Sequence, residues 1–144
     1  MDYQEILDEI GVQLLLSPEP LQGGGYYLPN AFEFGEEGVL IADGQLDGEG
    51  LELVVLHECG HKITGGTLSK LSAPQLHIVN EAKANRFMIN HKAKDYLIEI
   101  DYMATYFTPE RFLQRFKLSV ELFYDMASQE MEKVANENRH LLIY

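Results

Sequence analysis

One cysteine, no tryptophan and half as many basic as acidic residues mark what this 144-residue chain has little of. A lone Cys59 excludes an internal disulfide framework and a cysteine-rich structural zinc site, and it points to a reducing compartment, the cytoplasm. Lys and Arg number 11 against 23 Asp and Glu, a formal net charge of −12. That balance repels polyanions, so nucleic acid and anionic membrane surfaces are poor partners and a basic protein is a fair one. No run approaches the about 18 apolar residues of a membrane span. The opening residues have neither the basic nor the apolar region of a secretory signal.

What is present suits a folded domain: 46% of residues are hydrophobic and 24% charged. The length predicts a single domain over residues 1–144, with a helix and β-rich part over 1–46 and a helical part over 47–144. Asp2 and Glu5 fit a capping box for a first helix, with Ile6, Leu7 and Ile10 on one face and Gly11 as its stop. Strands are expected over 12–16, 26–28 and 39–42, separated by proline- and glycine-rich loops. Helices follow: from about Asp47 to Thr64 with Gly65-Gly66 as stop, from a Ser72 cap to about Lys92, over 95–107, and after Thr108-Pro109 and Ser119. The fold class is therefore α+β, a small N-terminal β-sheet followed by a helical bundle.

The first long helix carries His57-Glu58-Cys59-Gly60-His61. Residues four apart lie one above the other on a helix, so both imidazoles face one side, where two nitrogens can bind one metal ion. Glu58 is close enough to act as base for a water attacking at that metal. A catalytic zinc takes three protein groups, which leaves one ligand to find. Glu81, on the following helix, is a candidate if the two helices pair antiparallel. His77, one turn before it, is a rival. Asn85, one turn beyond Glu81, can accept the outer N–H of a ligand histidine. Cys59 between the histidines reads as a small buried apolar residue.

His57 to His61, followed by Glu81-x-x-Ala84-Asn85-x-Phe87, resembles the ImmA/IrrE family of gluzincin-type zinc metallopeptidases of phages and mobile elements. Residues 39–42 resemble the β run that precedes that family's H-E-x-x-H helix, and Tyr102 to Phe107 with Phe116 to Ser119 resemble its closing helices. Met88 and the segment Ile89-Asn90-His91 depart from the family pattern. The resemblance implies His57, His61 and Glu81 as ligands of one Zn2+ per chain and Glu58 as catalytic base. It also implies a cytoplasmic endopeptidase with a narrow protein substrate, a helix-turn-helix repressor cleaved to release repressed genes. His77, Tyr26, Tyr27 and Tyr102 are candidate donors to the oxyanion of the reaction. Manganese or iron also suits such a ligand set. Residues 26–42 offer an edge strand for an extended substrate.

Two other readings compete. One is a non-catalytic module that uses zinc for stability and sequesters a regulator; it separates from the enzyme at Glu58. The other is a DNA-binding regulator using the last two helices, where Arg111, Arg115 and Lys117 give a basic edge that Glu110, Glu121 and Asp125 largely cancel.

Overall fold

A computed structural model describes residues 3–28, 38–65 and 74–144. The fold is α+β: one short helix, then three strands, then the remaining helices. The chain forms two compact units, residues 1–87 and 88–144.

In the first unit, α1 (Tyr3–Ile10) buries Ile6 and Leu7. Asp2 of the expected capping box lies outside the described residues, as does the expected Ser72 cap. Strands β1 (Gln13–Ser17), β2 (Gly25–Leu28) and β3 (Val39–Asp43) form one sheet in the order β1-β3-β2. β3 pairs parallel with β1 and antiparallel with β2. Its central place explains the unbroken apolar run Val39-Leu40-Ile41-Ala42: Val39, Leu40 and Ala42 are buried, on both faces of the strand. The expectation that the stretch 26–42 supplies an edge strand holds, among the described residues, for β2 and not for β3. Gly25–Leu28 is an edge, 39–42 is interior, and 29–37 lie outside the described residues. Asp43 ends β3 with its carboxylate buried and occupied, accepting from the backbone N–H of Leu21 and Gln45.

Helix α2 (Gly48–Gly60) starts where Asp47 caps it, the side chain accepting from the Gly50 N–H. It packs on β2, β3 and α1 and buries Val55, Leu56, Glu58, Cys59 and Gly60. Its approach to the sheet depends on a missing side chain. A Cβ at Gly24, whose φ is +87°, would lie 2.7 Å from a methyl of Val54. Beyond Gly60 the helix widens into a π turn, His61–Gly65. The Gly66 half of the expected stop lies outside the described residues.

Helix α3 (Pro74–Glu99) contributes residues to both units. The break expected after Lys92 is absent, and the separate helix over 95–107 does not form. Asp95 does not cap a new helix, since its carboxylate lies 3.4 Å from the Lys92 ammonium one turn back. The helix ends where Asp101 and Tyr102 turn left-handed, at φ 54° and 60°. The rest of the second unit is a 3-10 turn (Ala104–Tyr106), α4 (Pro109–Arg115) and α5 (Val120–Glu137). Thr108 and Ser119 cap α4 and α5 by accepting from the Arg111 and Leu122 N–H groups. The core of this unit holds an aromatic cluster, with the Tyr96, Phe112 and Phe116 rings 5.3–6.1 Å apart and edge-on. A backbone bridge from Ile143 to Tyr102 and Ala104 ties down the last residues. Among the described residues, no helix is long and apolar enough to cross a membrane.

Candidate metal centre

The helical period places His57 and His61 together at the end of α2, rings edge-to-face with centroids 4.8 Å apart. Glu81, on α3, closes the group. Its two carboxylate oxygens lie 3.1 Å from His57 Nε2 and 2.8 Å from His61 Nε2, and the two nitrogens are 3.2 Å apart. His57, His61 and Glu81 therefore form a group that could hold a metal ion.

The donor chemistry fits a cation. His57 Nδ1 is 2.8 Å from Asn85 Oδ1, and an amide oxygen only accepts, so the ring proton sits on Nδ1 and Nε2 presents a lone pair. Burial, the largest influence, lowers the His57 pKa from its ordinary value and so favours that neutral ring. The Nε2 lone pair then faces a Glu81 oxygen at 3.1 Å, acceptor against acceptor. A positive ion between them removes that conflict. Zinc bonds of about 2.0–2.1 Å in a tetrahedron separate donors by about 3.3 Å. The observed 2.8–3.2 Å is only a few tenths of an ångström shorter. His61 Nδ1 is buried with no hydrogen-bond partner among the described residues, whereas the His57 ring has its orientation fixed by a hydrogen bond on the far side.

Glu58 is buried beside this group. Burial, then the Glu81 charge, raises its carboxyl pKa to about 7. Cys59 is buried as expected of a small apolar residue, and burial followed by the Glu58 charge pushes its thiol up to about 12. That thiol is inert at neutral pH.

Of the residues singled out from the sequence, the structure brings together His57, Glu58, His61, Glu81 and Asn85. His77 stands in the first turns of α3, but its side chain lies outside the described residues. Tyr26 pairs with Ile41 in β2, and its side chain is also outside them. Tyr27 is half-buried opposite Leu40. Tyr102 belongs to the second unit, in the left-handed turn after α3.

One contact at the site escapes sequence reasoning. A Cβ on Gly60 would fall 2.8 Å from both Cα and O of Ala84 and 3.1 Å from Cβ of Phe87. The only signal for it is a glycine inside a helical pattern, at a cost in helix propensity. Comparisons with protein-family models, with curated proteins and with solved structures returned no match.

Proposed function

We propose that the chain is a zinc-dependent endopeptidase with a narrow protein substrate. The observation that carries this reading is the convergence of His57 Nε2, His61 Nε2 and Glu81 on one point, with buried Glu58 between the two histidines on the same turn. His57, His61 and Glu81 would hold the ion. When bound there, zinc supplies Lewis acidity toward a peptide carbonyl and toward water. The protein's own part is positional and protolytic. Asn85 holds the His57 ring in the tautomer that offers Nε2. Glu58 accepts a proton from the attacking water and returns it to the leaving amine.

The substrate class rests on the sequence resemblance and on charge. A helix-turn-helix repressor meets DNA through a basic face, and the net charge of −12 suits docking against such a face. Direct DNA binding through α4 and α5 fits poorly, since the exposed start of α5 carries Glu121 and Asp125.

Elemental analysis of chelator-free protein tests the site: about one zinc per chain is expected, and a chain that takes up no zinc after reconstitution sinks the proposal. Glu58→Gln tests the chemistry against a panel of basic helix-turn-helix repressors. Zinc should stay bound while cleavage falls by orders of magnitude. The burial of Glu58 favours one rival, a zinc-stabilised module that sequesters a regulator without cutting it. On that reading, Glu58→Gln leaves partner binding unchanged and there is no cleavage to lose.

A further inference from the structure

We infer that Gly60 is a positioning residue for the metal centre: its missing side chain sets the closeness of α2 to α3 at which the three donors converge. The inference rests on the metal-binding reading above.

Gly60 immediately precedes His61 and follows His57 by three positions. Its neighbour Ala84 follows Glu81 by three and immediately precedes Asn85. All three donor residues and the amide that orients His57 are thus within three positions of one backbone contact. Both members of the contact are buried, Ala84 completely. The Cβ distances of 2.8 Å to Ala84 Cα and O involve backbone atoms, which cannot swing aside as a side-chain tip can. Ordinary carbon contacts begin at about 3.5 Å, so an added methyl must push the helices apart by roughly half an ångström or more. Metal–ligand bonds tolerate about 0.2 Å. A side chain at Gly60 therefore moves the Glu81 backbone away from both histidines by more than that tolerance, and the exposed carboxylate must re-aim to meet them.

The test compares wild type, Gly60→Ala and Gly48→Ala. Gly48 also lies in α2, but a Cβ there meets nothing within 4 Å among the described residues, so its variant reports the generic effect of alanine in this helix. Zinc affinity is measured by competition with a chromophoric chelator, and coordination geometry by the visible spectrum of the cobalt(II)-loaded protein. Metal-free thermal melts report folding. The expected result is zinc affinity at least tenfold weaker and an altered cobalt spectrum in Gly60→Ala, in a protein that still melts cooperatively without metal. Gly48→Ala should match wild type within about twofold. Wild type and Gly60→Ala with equal affinity and the same cobalt spectrum would overturn the role of Gly60 while leaving the metal site standing. A Gly60→Ala chain with no cooperative metal-free melt would also overturn it, since the contact would then hold the unit together rather than aim its donors. A wild type that binds no zinc overturns the metal reading on which the inference rests.

Discussion

Replacing Glu58 by glutamine should stabilise the metal-free protein, and only toward neutral and alkaline pH. Burial and then the Glu81 charge lift the Glu58 carboxyl from its ordinary 4.5 to about 7. The sign follows from which form the fold disfavours. Below pH 4.5 the carboxyl is protonated in both folded and unfolded chains, and nothing is lost. Between 4.5 and 7 the unfolded chain releases the proton and the folded one does not, so stability falls as pH rises. Above 7 the folded protein carries the full penalty of a buried charge. At about 1.36 kcal/mol per tenfold change in proton affinity, the penalty is under about 1 kcal/mol at pH 5 and about 3 kcal/mol at pH 8. Glutamine keeps the shape and drops the charge. For a chain of this size the gain corresponds to roughly 5–10 °C in melting temperature at pH 8, and to little at pH 5. The assay is thermal unfolding by circular dichroism of both proteins in chelator across that range. Zinc should narrow the gap, because a positive ion beside the carboxylate offsets its burial. An equal gap at pH 5 and pH 8, or a wild type more stable than the variant at pH 8, would refute the reasoning.

Glu81→Ala should weaken zinc binding at least 100-fold by removing one of three donors, read by elemental analysis and chelator competition; retention of wild-type affinity would move the third ligand elsewhere. Asn85→Ala should weaken it about 10- to 100-fold by freeing the His57 ring, with the metal-free melt little changed. Phe112→Ala removes a fully buried ring that meets Tyr96 and Phe116, and should destabilise the second unit by about 3–5 kcal/mol in urea unfolding. By contrast, Glu99→Ala breaks the exposed Arg115 pair, at 2.7 Å, and should change stability by less than about 1 kcal/mol.

Local physics made much of this legible in the sequence. The four-residue spacing of His57 and His61 puts both rings on one side of any helix, whatever surrounds it. Asp47, Thr108 and Ser119 announce helix starts because a cap is a contact within four residues. The strands were visible as short apolar runs bounded by glycine and proline. Their order was not: a strand buried on both faces and one at an edge can read alike, so the stretch 26–42 does not by itself tell that 25–28 is the edge and 39–42 the interior strand. The expected helix break near Asp95 failed for a related reason. Aspartate caps or decorates a helix according to its neighbours, and here Lys92 one turn back engages its carboxylate.

The sequence by itself determined the pairing of the two imidazoles and the carboxylate of Glu58 between them, because one helical turn dictates both. Tertiary structure decided that Glu81 completes the group, that Asn85 fixes the His57 tautomer, and that Tyr102 belongs to the other unit. The first two facts depend on how closely and in what register α2 meets α3. That register is set by packing at Gly60 and Ala84, residues whose small size carries no chemical signature of its own.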